Sequence, residues 1–388
     1  MTEMVLWCAI ALILYAYIGY PCALALLSTV RNRPVRKTAA TPPVSYIITV
    51  HNEASRIGAK LQNALTQDYP GELEIIVASD CSTDRTDDIV RGFAPHVRLV
   101  RSAERGGKEA AQHLAIAASS GRILVFSDAA TLLDCTGIST LVANFGDPTV
   151  GCVSSIDRVI EADGTVGGEG AYVRYEMLLR RLESRVNSLV GLSGSLFAAR
   201  REVCARWVSD RQSDFSTVLN SMALGLRGVI DPEAAGYYPN LRDGRREMER
   251  KIRTVVRGIA VLSSNLQLLN LLRHPLFAWQ LASHKLCRWL VPFAMLAALV
   301  SGALLVARGA PAVEGGGSFD PYVLLFGLQL GFYMAATVGL VTGSRALRLP
   351  AYFVVVNFAI LAAWMRYAYG ERMTTWTPSE RLQAVPRS

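Results

Sequence analysis

Residues 42–57 read PPVSYIITVHNEASRI, and the fold follows from how this stretch is parsed. The run from Val44 to Val50 is rich in β-branched and aromatic residues, which favour a pleated, packed backbone. Two prolines close it on one side and His51-Asn52-Glu53 on the other, so a buried strand delivers three polar residues at its carboxyl end. Working outward, Ile57, Leu61, Ala64 and Leu65 are spaced for one face of a helix, and Leu73-Glu74-Ile75-Ile76-Val77-Ala78 gives a second strand ending in Ser79-Asp80. Ser82-Thr83-Asp84 can cap a helix through Ile89 and Val90, and residues 97–100 form a short third strand. Residues 108–119 form an alanine-rich helix, and Ile123-Leu124-Val125-Phe126 a fourth strand ending in Ser127-Asp128. Apolar strands alternating with helices predict an α/β, Rossmann-like, doubly wound sheet, whose ligands bind beyond the strand carboxyl ends. All three polar clusters fall at those ends.

The flanks of this polar block are of a different kind. The 388-residue chain is 51% hydrophobic and 19% charged, against roughly 25% charged in soluble domains. Residues 5–30 carry no charge and can cross about 30 Å of hydrocarbon as a helix. The first four residues lack the basic start of a signal peptide, which predicts an uncleaved anchor. Arg31, Arg33, Arg36 and Lys37 follow, and the positive-inside rule puts the next segment in the cytoplasm. Residues 289–307, 321–344 and 349–365 are also uncharged, the last being the weakest span because it is short and holds Asn357. Four spans would place the tail outside despite Arg372, Arg381 and Arg387; a re-entrant or interfacial last segment is the alternative. The expected organisation is an anchor and basic stop over 1–37, an α/β domain over 38–250, interfacial amphipathic helices over 251–285, and transmembrane helices with a tail over 286–388. Seven scattered cysteines without a C-x-x-C pair suit a reducing compartment or lipid burial. The net charge of +8 suits nucleic acid or an anionic membrane face equally, and the apolar segments favour the membrane. Basic residues gather at the membrane boundaries without interleaved aromatics, which excludes a nucleic-acid binder.

The order of the polar clusters resembles glycosyltransferase family 2. PPVSYIITVHNEASRI is similar to that family's opening strand and turn, and QDYPGELEIIVASDCSTDRT (67–86) to its second element. RGGKEAAQHLAIAASSGRILVFSDAAT (105–131) resembles the stretch from Gly-Gly-Lys to the Asp-x-Asp motif, and Ser213-Asp214-Phe215 stands where the family has its Glu-Asp base motif. Blocks in order over this distance are specific where a single one is weak. WTPSER (376–381) is similar to the ending of membrane-bound members.

The resemblance implies a GT-A domain with a nucleotide-sugar site. Thr49, His51 and Glu53 would form the floor for base and ribose, Asp80 would accept the N3 proton of a uracil ring, and Lys108 would neutralise phosphate charge near a helix start. His51 replaces the family's usual aromatic residue. Asp128 would hold Mg²⁺ or Mn²⁺, hard ions that prefer oxygen ligands. The second acid of that motif is Ala130 here, so diphosphate oxygens, water or Asp134 would have to complete the ion's shell. Read without the motif, Asp128 is a turn former, Asp80 and Asp214 are helix caps or first-turn acids, and Lys108 is an exposed loop residue. With it, Asp214 becomes the general base, and Ser193 to Arg201 the small-residue acceptor-side strand.

Arg250, Arg253 and Arg257 are candidates for the diphosphate; an anionic lipid surface would bind the same cluster. This run lacks the Gln and Trp of the processive Gln-x-x-Arg-Trp motif. The implied activity is inverting transfer of one sugar from a nucleoside-diphosphate sugar, a UDP-sugar by preference, to a lipid or lipid-linked saccharide at the cytoplasmic face of a bacterial inner membrane. The alternatives are a processive exopolysaccharide synthase, and a catalytically degenerate nucleotide-binding scaffold, which Ala130 favours.

Overall fold

The computed structural model describes residues 1–160, 171–239, 244–309 and 320–373; residues 376–381 lie outside these. The chain divides into two compact units. One comprises Met1–Ala23, Met248–Val256 and Gln280–Glu371; the other is built on Leu24–Glu247 with Arg257–Trp279.

The second unit is organised by a single sheet. Its strands are β1 (Val44–Val50), β2 (Leu73–Ser79), β3 (Val97–Arg101), β4 (Ile123–Asp128), β5 (Leu132–Leu133), β6 (Val150–Ile160), β7 (Leu196–Arg200) and β8 (Arg227–Pro239). They lie in the order β3-β2-β1-β4-β7-β6-β8-β5. The first four are mutually parallel, while β7 runs antiparallel to both β4 and β6, so the doubly wound half is extended by a mixed half. All seven residues of β1 are buried, as expected for a parallel strand covered on both faces. On one face Tyr46, Ile48 and Val50 pack with Ile57, Leu61 and Ala64 of the helix Ile57–Leu65. Chain order runs outward from β1 to β3 and then returns to the other side of β1 at β4. That reversal opens a crevice beyond the ends of β1 and β4, the usual place for a ligand in such sheets.

The linker after the first helix is tied to the sheet by an internal ion pair. Arg227 donates to the carbonyls of Arg33 and Pro34 at 2.9 and 3.2 Å and to Asp147 Oδ2 at 3.0 Å. Burial alone would raise the Asp147 carboxyl, but the Thr149 hydroxyl and amide and the Arg227 guanidinium hold it down at about 2. A carboxylate with a depressed folded pKa stabilises above its unfolded value, and that contribution is lost as pH falls through the folded value. Asp147→Asn is therefore expected to destabilise the fold at neutral pH by about 1 kcal/mol after solvent screening. The gap to wild type should close between pH 4 and 2, as read by denaturant unfolding across that range. A pH-independent gap would contradict this.

The first unit is helical. Among the described residues four helices are long and apolar enough to cross a membrane: Thr2–Val30, Pro275–Ala307, Pro321–Thr342 and Arg348–Ala368. Leu6 and Ala9 pack against Ala294, Ala298 and Leu305, and Trp364 donates to the Trp289 carbonyl at 2.9 Å. Asp320 caps the third helix through the Tyr322 amide, with Pro321 at its first position. The second of the four runs without a break through Arg288, whose guanidinium lies 5.4 Å from the Tyr17 ring centre.

Candidate active site

The turns after β1 and β2 are interlocked before any ligand is considered. Asn52 takes a left-handed conformation (φ 53°), which asparagine tolerates, and its side-chain oxygen accepts from the Thr83 amide at 2.8 Å. Glu53 donates its amide to Thr86 Oγ1 and pairs its carboxylate with Arg56 at 3.0 Å. His51 Nδ1 lies 2.7 Å from the Asp80 carbonyl. Asp84 accepts from the Thr86 amide at the start of the helix Thr86–Arg91, while Ser82 and Thr83 bond Asn52 instead. Asp80 is fully buried, and its carboxylate accepts from the amides of Gly106 and Gly107 at 2.8 to 3.1 Å. Gly107 has φ 93°, a conformation open to glycine at little cost. Asp80 thus fixes the loop that launches the helix Lys108–Ala118.

That helix aims Lys108 at the crevice. Lys108 Nζ donates to Asp128 Oδ1 at 2.5 Å and to the Gly194 carbonyl at 2.8 Å. Asp128 is the register partner of Thr49, so both project from the same face of the sheet, and its amide bonds the Ser195 carbonyl at 3.0 Å. Asp214 lies in the first turn of the helix Ser213–Ala223 and accepts from the Phe215 amide and the Gln212 side chain. A methyl group on Gly194 would meet Asp214 Oδ2 at 3.1 Å, so glycine permits this carboxylate to approach. Asp128, Lys108, Gly194 and Asp214 therefore form one contiguous group. Thr49 Oγ1 is buried at the same strand end without a hydrogen-bond partner.

The arginines divide. Arg257 is buried and pairs with Glu109 at 2.6 Å; Glu109 also faces the Ser213 amide at 3.4 Å. Its guanidinium braces the start of two helices, the ones carrying Lys108 and Asp214. Arg250 and Arg253 fall in the Met248–Val256 segment of the helical unit.

Three features escaped the sequence reading. Asp157 accepts from the hydroxyls of Ser193 and Ser195 at 2.7 and 2.5 Å. Trp207 stacks on Phe126 at 5.0 Å and donates to the Glu109 carbonyl. Lys60 is fully buried behind β4; burial drives its ammonium down to about 7, with Asp128 acting in the opposite direction. The only sequence signal was Lys60's place between Ile57 and Leu61 on an apolar helix face.

The carboxylate positioned for a divalent ion at the end of β4 is Asp128. Among the described residues no three His, Cys, Asp or Glu side chains gather into a metal-holding group. The Asp134 carboxylate accepts from the Tyr237 hydroxyl at 3.1 Å. A hard ion fits this oxygen donor only with a diphosphate supplying further oxygens.

The sequence model described as "Glycosyl transferase family 2" matches residues 45–207. An N-acetylglucosaminyltransferase of Bradyrhizobium elkanii is 31% identical over 129 residues, 32% of this chain and 71% of that protein. A beta-monoglucosyldiacylglycerol synthase of Synechocystis sp. is 31% identical over 122 residues, 30% of this chain but only 26% of that protein. A mannosyltransferase of Pyrobaculum calidifontis, solved in complex with GDP-Man and Mn²⁺, superposes with a TM-score of 0.71 at 24% identity, covering 95% of this chain and 99% of that one. The fold is thus that of the GT-A glycosyltransferases, with apolar helices added at both ends. The chain belongs to glycosyl transferase family 2.

Proposed function

We propose that this protein transfers a single sugar, with inversion, from a nucleoside-diphosphate sugar to a hydroxyl of a lipid or lipid-linked saccharide at the cytoplasmic face of a bacterial inner membrane. The observation that carries the reading is the contiguous group of Asp128, Lys108, Gly194 and Asp214 at the switch-point crevice. Thr49, His51, Glu53 and Asp80 line the floor for the nucleotide, and a UDP-sugar is the preferred donor. Lys108, at the start of its helix, meets the diphosphate charge. Asp214 takes the proton of the acceptor hydroxyl; its oxygen attacks the anomeric carbon as the bond to diphosphate breaks and the electron pair leaves with the diphosphate. A single displacement inverts that carbon. A Mg²⁺ or Mn²⁺ ion held by Asp128 and the diphosphate would supply further charge neutralisation there. The four apolar helices support a membrane-embedded acceptor.

Products resolved by mass test the mode of transfer. The run at Arg250–Thr254 lacks the Trp of the processive motif, the aromatic platform that would help hold a growing sugar chain in register. Each acceptor should gain one sugar, and a long homopolymer from purified protein would overturn this. Ala130 favours a second reading, a nucleotide-binding scaffold, for which donor binding without any transfer is the expected result.

A further inference from the structure

Lys60 is an expensive residue to keep where it is. It lies on the buried face of the helix Ile57–Leu65 with Ile57, Leu61 and Ala64, and has no exposed surface. Its Nζ is 2.6 Å from the Tyr46 hydroxyl, 2.9 Å from Ser127 Oγ, and hydrogen-bonded to the Thr131 carbonyl. An ammonium has three donors, and three oxygens meet them. Burying such a group costs several kcal/mol before its partners repay it, and an apolar side chain of the same length would fill the space more cheaply.

The partners explain why it is there. Ser127 and Thr131 bracket Asp128. Ser127 Oγ also donates to the Asp128 carbonyl at 3.1 Å, and the Thr131 amide donates to that same carbonyl at 3.2 Å. The hydrogen bonds from Lys60 therefore close a loop around the backbone of residues 127–131. They do so from the face opposite the crevice, since Tyr46 and Ser127 project from one side of the sheet and Thr49 and Asp128 from the other. The Asp128 side chain is left free to engage Lys108.

We propose that Lys60 is a positioning residue of the donor site: it pins the Ser127–Thr131 turn from behind and so sets where the Asp128 carboxylate points. The proposal rests on the reading of Asp128 as donor-binding, and its test separates the two. Purified full-length wild type and Lys60→Met are compared by amide hydrogen exchange, thermal unfolding, and titration with UDP in the presence of Mn²⁺. Lys60→Met should melt within a few degrees of wild type while the Thr131 amide exchanges at least tenfold faster and the β1 and β2 amides are unchanged. UDP affinity should fall at least fivefold. Lys60→Ala should recover UDP affinity on addition of propylammonium but not of propanol, because an alcohol refills the space without restoring three charged donors.

Unchanged Thr131 exchange together with UDP affinity within twofold of wild type would overturn the proposal. So would equal rescue by amine and alcohol, which would mean packing alone. Should Lys60→Met fail to fold, Ser127→Ala removes one of the ammonium's partners and carries the same expectation at smaller size. If wild type binds neither UDP nor GDP, the donor reading fails, while Thr131 exchange still decides whether Lys60 holds the turn.

Discussion

Asp214→Asn is expected to lower turnover about a thousandfold while leaving donor affinity within about twofold of wild type. A positioned general base commonly contributes two to four orders of magnitude, so the loss corresponds to about 4 kcal/mol of transition-state stabilisation. Asparagine retains an oxygen for the Phe215 amide, which Asp214 Oδ1 accepts at 2.8 Å, so the first turn of the helix should stay intact. What it lacks is a carboxylate able to take the acceptor proton. Initial rates with saturating acceptor, together with donor titration, separate the two effects. Transfer at the wild-type rate would remove Asp214 from the mechanism.

Asp128→Asn should fail differently. The carboxylate lies 2.5 Å from Lys108 Nζ, and under the proposed function it is the protein oxygen donor for a divalent ion. Its loss should weaken donor binding about tenfold in the presence of Mn²⁺ and lower turnover as well, because ground and transition states both carry the diphosphate charge. Without added metal the wild type should bind donor poorly and the variant little worse. Ala130→Asp, which adds a carboxylate two residues along, should tighten Mn²⁺ binding. The measurement is donor calorimetry with and without Mn²⁺ for all three proteins. Affinity and rate indifferent both to chelator and to Asp128→Asn would exclude a metal-assisted donor site.

The parallel half of the sheet was legible because each strand is a short apolar run closed by turn residues. Val44–Val50 and Ile123–Asp128 were read with their ends, and Leu73–Ser79 within one residue. Those ends carry Thr49, His51, Asp80 and Asp128. The mixed half was not legible. β6 and β8 pair in parallel across nearly eighty residues with register shifts, and no local pattern records a long-range partner. Lys60 and Asp157 were missed for the same reason. A lysine in a helix and an aspartate in a strand read as solvated until distant segments bring Ser127 and Thr131 to the one, and Ser193 and Ser195 to the other. Arg257 shows the opposite case: its sequence neighbourhood suggested phosphate or lipid headgroups, and its guanidinium pairs with the buried carboxylate of Glu109, 148 residues earlier in the chain, a contact that no local pattern records. At Arg288 the helix Pro275–Ala307 carries a charge beside its apolar run, with the guanidinium laid over the Tyr17 ring.

The most direct test of the account is transfer of labelled sugar from a panel of UDP- and GDP-sugars into solvent-extractable lipid, using the purified full-length protein, a bacterial lipid extract and Mn²⁺. Label should enter a lipid product from one donor, a UDP-sugar, and none should appear with Asp214→Asn under identical conditions. Wild-type protein that binds these donors yet labels no acceptor, or equal labelling by wild type and Asp214→Asn, would contradict this.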